Sequence, residues 1–167
     1  MIHTYKGITP KIGKNCFIED SAHVIGDVVL GDDCSVWFNT VIRGDVNYIR
    51  IGNKTNIQDG SILHVTVNTC PLVLGEGVTV GHGAILHGAT INNYCLIGMG
   101  AKILDKAIVE DFSIVGAGSL VKQGFVVPSG HLVAGVPARV IREITDDERA
   151  FLRQSAQNYI NYMKDYK

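Results

Sequence analysis

The chain has 167 residues, a net charge of -1, 46% hydrophobic and 7% aromatic residues, a size for one domain. Nineteen glycines against four prolines exclude a Pro/Gly-rich disordered chain and point to many tight corners. The balanced charge leaves no footprint for nucleic acid or an anionic membrane, and no apolar run is long enough to span a bilayer. The opening MIHTYKGITP lacks the apolar core of a signal peptide, so a cytoplasmic chain is expected, without nucleic-acid or membrane partners.

In chain order, the dominant signal is an aliphatic residue at every sixth position. The first run is Ile12, Ile18, Val24, Leu30, Val36, Ile42. Two short runs follow, Ile51, Ile57, Leu63 and Leu74, Val80, Leu86. The last is Ile91, Ile97, Ile103, Val109, Val115, Val121, Val127, Val133. Four positions after the aliphatic the residue is usually small, as at Cys16, Ala22, Cys34, Thr40, Thr55, Ala84, Cys95 and Ala101. Cys16, Cys34 and Cys95 are therefore read as core residues rather than disulfide partners, and Cys70 has no assigned role.

A period of six is neither helical nor a plain strand alternation. It suits a flat face followed by a turn, three times per coil, with coils of 18 residues stacked about 4.8 Å apart. Gly often follows the aliphatic, as in Ile51-Gly52 and Ile97-Gly98, where it is expected to relieve strain at the turn. The repeat breaks phase at 42–51, 63–74 and 86–91, where loops and sites belong on a solenoid. After residue 133 the pattern ends. Thr145-Asp146-Asp147-Glu148 reads as a capping box, and Leu152, Ala156, Tyr159, Ile160 and Met163 follow at helical spacing. The expectation is an all-β solenoid over 1–144 and one α-helix from about 146 to 164, within a C-terminal segment 145–167 packed on it, as a single domain.

Three of the six histidines lie in the interrupted region: His64, His82 and His87. His64 and His82 are one 18-residue coil apart, so they are expected on one face in adjacent rungs. His82 and His87 are only five apart, and an extended chain would separate them by up to roughly 16 Å. One zinc, with Zn–N bonds of about 2.0–2.1 Å, does not easily take both from one chain. A site between two chains removes the conflict. His3, His23 and His131 have no partners in the pattern, and Trp37 and Phe38 read as packing.

The strings WFNTVIRGD (37–45), IGNKTNIQDGSILH (51–64), VGHGAILHG (80–88), LIGMGA (96–101), VGAGSLV (115–121) and AGVPARVIRE (134–143) resemble the γ-class carbonic anhydrases and their close bacterial relatives, over essentially the whole chain. The resemblance implies a left-handed parallel β-helix, a handedness that general crossover rules would not predict. It implies that His64, His82 and His87 bind zinc, or iron or cobalt, at the interfaces of a homotrimer, with His64 and His87 from one subunit and His82 from its neighbour. Gln58 matches a residue that orients metal-bound water, Asn56 a polar neighbour, and Arg43, Asp45 and Asp59 an ion-pair cluster at the subunit interface. Tyr159 matches, more loosely, a tyrosine that approaches the site. The implied activity is interconversion of carbon dioxide and bicarbonate through a metal-bound hydroxide, since such a site lowers the pKa of bound water to about 7.

Two features depart from the founding branch of that family. Its proton-shuttling glutamates fall here at Val46 and Val67, and no acidic insertion separates His64 from His82. The chain resembles the shorter branch. Hexapeptide acyltransferase or acyl-CoA thioesterase activity, and a non-catalytic metal-binding scaffold, are the alternatives, because fold does not fix function.

Overall fold

The aliphatic of each repeat points into a common core. Val24, Val36, Ile42, Ile97, Ile103, Val109, Val115, Val121, Val127 and Val133 are all fully buried in the computed structural model, which describes residues 1–166. Each such side chain contributes about 1.5–3 kcal/mol of burial free energy. The strands between the corners are mostly two or three residues long and stack in parallel. One face carries Asn56–Ile57, Thr79–Val80, Leu96–Ile97 and Ile114–Val115. The next carries Ile62–His64, Ile85–His87 and Lys102–Ile103, and the third carries Leu72–Leu74, Thr90–Ile91 and Ile108–Val109. The expected β-helix is therefore present. It closes at an antiparallel pair, His131–Gly135 with Ala138–Glu143. No helix among the described residues is long and apolar enough to cross a membrane.

Coil length varies where the repeat breaks phase. Val24 pairs with Ile42, 18 positions on, but Ile42 pairs with Leu63, 21 on, and Leu63 with Leu86, 23 on. The next coil is short: Leu86 pairs with Ile103, 17 on. The long strand Val41–Ile51 absorbs the first excess by running past one corner. A loop closed by the Thr66–Cys70 bridge absorbs the second.

The glycines after the aliphatics do a different job from the one expected of them. Gly52 and Gly98 have ordinary φ; a Cβ at Gly52 would lie 2.5 Å from the carbonyl carbon of Gly75, and one at Gly98 2.5 Å from the amide of Ala117. They permit close stacking of successive coils. The left-handed backbone falls elsewhere in the turns, often on non-glycine residues such as Asp33 (φ 59) and Lys54 (φ 58). Cys34 and Cys95 are buried, and Cys16 is half-buried against the core, as the repeat implies. Burial pushes the Cys95 thiol up to about 12, which suits an inert core residue.

The helix α1 spans Asp146–Tyr162, with a one-turn 3-10 extension Met163–Tyr166; Lys167 lies outside the described residues. Its capping box is complete: the Thr145 side chain accepts from the Glu148 N–H, and the Glu148 carboxylate accepts from the Thr145 N–H. Leu152, Ser155, Ala156 and Met163 are buried against the solenoid, and the Ser155 and Thr79 hydroxyls meet at 2.9 Å. Arg149 and Arg153 lie over the ring of Phe112, and Arg153 also over Tyr94, fixing the helix across the first face.

Truncating Ile97 to Ala in mid-stack is expected to destabilise the fold by about 2–5 kcal/mol, measured by chemical denaturation. The cap carries a pH signature. Arg142, then the Thr145 N–H, holds the Glu148 carboxyl down at about 2. Its folded pKa is depressed, so the contribution is complete above the ordinary value of 4.5 and is lost as pH falls towards about 2. Amide protection at residues 145–149 should drop over that window in wild type and not in Glu148→Gln.

Candidate metal centre

The 23-residue coil decides which histidines meet. His64 ends the strand Ile62–His64, His87 ends Ile85–His87, and the two are register partners on adjacent coils. His64 Nδ1 faces His87 Nε2 at 3.1 Å, with ring centroids 5.1 Å apart. The other nitrogen of each ring meets a carboxylate: His64 Nε2 lies 3.0 Å from Asp45 Oδ1, and His87 Nδ1 lies 2.5 Å from Asp105 Oδ1. Asp45 is also paired with Arg43, and Asp105 accepts from Thr66 Oγ1 at 2.6 Å. Burial raises both carboxyls, but donors outweigh it: His64 and Arg43 at Asp45, Thr66 and His87 at Asp105, so both end below the ordinary aspartate value.

His82 is not with them. The expectation that His64 and His82 stack on one face assumed an 18-residue coil, and the loop at 66–70 overturns it. His82 sits in the turn before Ile85–His87, stacked above Asp59: the Gly83 N–H donates to the Asp59 carbonyl, and His82 Nδ1 lies 2.9 Å from Asp59 Oδ2. Both side chains are substantially exposed. Among the described residues of one protomer, no three His, Cys, Asp or Glu side chains are arranged to hold a metal ion. Within one protomer Asp59 stands beside His82, while Arg43 and Asp45 stand beside His64.

The donor chemistry nevertheless fits a divalent ion. An ionised carboxylate accepts and does not donate, so Asp45 calls for an N–H at His64 Nε2 and Asp105 for one at His87 Nδ1. The two facing nitrogens then direct lone pairs into one gap, where only a shared proton or a cation makes the approach attractive. Two nitrogens bound to one tetrahedral zinc would stand roughly 3.3 Å apart, given Zn–N bonds of about 2.0–2.1 Å. The pair stands at 3.1 Å. His82 follows the same plan: Asp59 occupies Nδ1 and leaves Nε2 to the outside.

Gln58 and Asn56 are buried on the face that the helix covers. Gln58 Nε2 donates to Asn56 Oδ1 at 3.2 Å, and Asn56 Nδ2 donates to Thr79 Oγ1 at 3.0 Å, which continues to Ser155. Gln58 and His82 line one cleft of about 350 Å³ with Met99 and Ile97. Tyr159 lines a neighbouring cleft with Trp37, Phe38, Asp59 and His82, its ring edge-on to Trp37 at 5.8 Å. Burial first, then Asp59 and Tyr162, raises its phenol above the ordinary tyrosine value. Val46 and Val67 are exposed, next in sequence to Asp45 and Thr66 respectively.

Sequence reasoning missed Asp105 and Thr66. The usable signal was the 18-residue interval from His87 to Asp105, about one coil. It also left His3 and His23 apart, although they meet through Nε2 and Nδ1 at 2.9 Å where the N-terminal strand pairs with the first long one.

Residues 9–44 match the family model "Bacterial transferase hexapeptide (six repeats)". The chain is 46% identical over 158 residues to "Gamma carbonic anhydrase 2, mitochondrial" of Arabidopsis thaliana, covering 92% of this chain and 57% of that protein. It thus spans little more than half the length of that relative. It is 48% identical over 167 residues to a "Carbonic anhydrase" of Geobacillus kaustophilus, covering 100% of this chain and 91% of the relative. A solved Bacillus cereus protein, designated an acetyltransferase, superposes with a TM-score of 0.96 at 44% identity, covering 100% of this chain and 98% of its own. With identity of this order across its whole length, the chain belongs to the γ-carbonic anhydrase family of hexapeptide-repeat proteins.

Proposed function

We propose that the protein is a cytoplasmic, metal-dependent carbonic anhydrase, a homotrimer whose three sites each take His64 and His87 from one subunit and His82 from the next. The observation that carries this reading is the facing pair His64–His87, each ring backed by its own carboxylate, with His82 and its carboxylate stranded at another corner. A zinc, iron or cobalt ion would supply Lewis acidity there and make a water nucleophilic near neutral pH.

The chain's own groups supply position. Asp45, Asp105 and Asp59 fix which nitrogen of each imidazole is left to bind. Gln58 orients the attacking oxygen; Asn56 holds the Gln58 amide, and Thr79 holds Asn56. Arg43 keeps Asp45 ionised beside His64, and with Asp59 lies at the subunit boundary. Tyr159 borders the cleft that His82 and Asp59 share. A second reading, acyl transfer or thioester cleavage on a coenzyme A ester, is favoured by the names of the matching family model and of the Bacillus cereus relative.

Purified protein should hold close to one divalent ion per chain by elemental analysis, and His82→Ala should lose it. Mixing His64→Ala chains with His82→Ala chains should restore part of the metal, because hybrid trimers regain some intact interfaces. A monomer that binds metal as tightly as the wild-type assembly would sink the two-chain site.

The hydration rate should be limited by proton export. Each turnover leaves a proton to be delivered to bulk buffer, and Val46 and Val67 carry no group to relay it. In stopped-flow assays the rate should rise with imidazole concentration, and Val67→Glu should raise it at low buffer and flatten the dependence. No hydration with any of the three metals, together with cleavage of a coenzyme A thioester, would establish the second reading in its place.

A further inference from the structure

We infer that Asp105 is a positioning residue that locks the His87 imidazole with its proton on Nδ1, and that the loop Thr66–Cys70 exists in part to hold Asp105 in that role. The inference rests on the metal-site reading above.

Asp105 lies on the coil after His87, just past the strand Lys102–Ile103, and both of its oxygens are engaged. Oδ1 accepts from His87 Nδ1 at 2.5 Å, and Oδ2 accepts from Thr66 Oγ1 at 2.6 Å. A carboxylate held at both oxygens cannot turn away from the ring. Placing the His87 proton on Nε2 would set two lone pairs 2.5 Å apart, so Nε2 keeps its lone pair towards His64.

Two further features serve this arrangement. Gly88, directly after His87, has no room for a side chain: a Cβ there would stand 2.6 Å from Asp105 Oδ1 and 2.6 Å from Cys70 Cβ. The loop is itself braced, since Thr66 and Cys70 bond through their backbones and Asn47 Nδ2 donates to the Thr66 carbonyl at 3.0 Å. Asn47 belongs to the strand Val41–Ile51, so one interruption of the repeat supports the other.

The test uses the full-length protein as Asp105→Asn and Thr66→Val. Nitrogen-15 correlation spectra of the metal-free protein report the His87 tautomer, with His131 as an internal control. Wild type should show the Nδ1–H form; Asp105→Asn, whose amide can also donate, should show a mixture. Cobalt and zinc affinities should fall about 10–100-fold in Asp105→Asn and less in Thr66→Val, with melting temperature and assembly retained. An Nε2–H form in wild type would overturn the inference, as would unchanged tautomer and affinity in the variants. If Asp105→Asn does not fold, Thr66→Val decides by the same two readings. Wild type that takes up neither ion would remove the metal-site reading, and the tautomer comparison would still decide the role of Asp105.

Discussion

Stacked coils must lie one strand spacing apart, about 4.8 Å, and nearly every other feature follows from that spacing. A backbone this close above and below leaves no room for Cβ atoms at the corners, so Gly13, Gly52, Gly81 and Gly98 stand where the next coil's backbone passes. The same stacking makes each inward aliphatic the floor of the one above. The core is then a column of Ile, Val and Leu with small residues between, and no buried side-chain polar atom among the described residues lacks a partner. The repeat is strict because a residue too many displaces every side chain that follows.

Insertions in such a stack are therefore informative. Two successive coils of 21 and 23 residues push their surplus outward at one corner, as the overrun of Val41–Ile51 and the loop Thr66–Cys70. Around that corner the protein gathers Arg43, Asp45, His64, His87, Asp105 and Thr66. The shorter coil that follows returns the stack to phase. His82 and Asp59 lie on an unperturbed corner, one above the other. One protomer therefore does not bring the three histidines together, and the proposed three-histidine site calls for a cyclic assembly that repeats one interface.

The C-terminal helix does more than cover a face. Ser155 meets Thr79, which receives Asn56, which receives Gln58, so a hydrogen-bonded line runs from the helix to the cleft that Gln58 shares with His82. Tyr159 comes from the same helix, and its ring rests on Trp37, which also contacts Phe17 and Tyr166. Trp37 thus packs, as its surroundings in the sequence suggest, while forming the wall of a cleft that contains His82.

The fold was legible from the residues because its rule is local: an aliphatic every six positions names the inward side chains without knowledge of what they touch. The helix was legible for the same reason, since the capping box at Thr145 and Glu148 and the spacing of Leu152, Ala156 and Met163 are short-range features. The candidate site was legible as a set of residue types in the interrupted region, and as a conflict between His82 and His87 that one chain could not satisfy. What only the tertiary structure decided was which side chains meet. An 18-residue interval suggested His64 with His82, but register counts coils rather than residues, and the loop at 66–70 made one coil 23 residues long. His64 therefore faces His87, His82 faces Asp59, and Asp105 reaches His87 from the next coil. Those pairings are set by how far each loop departs from the stack, a distance that residue spacing does not contain.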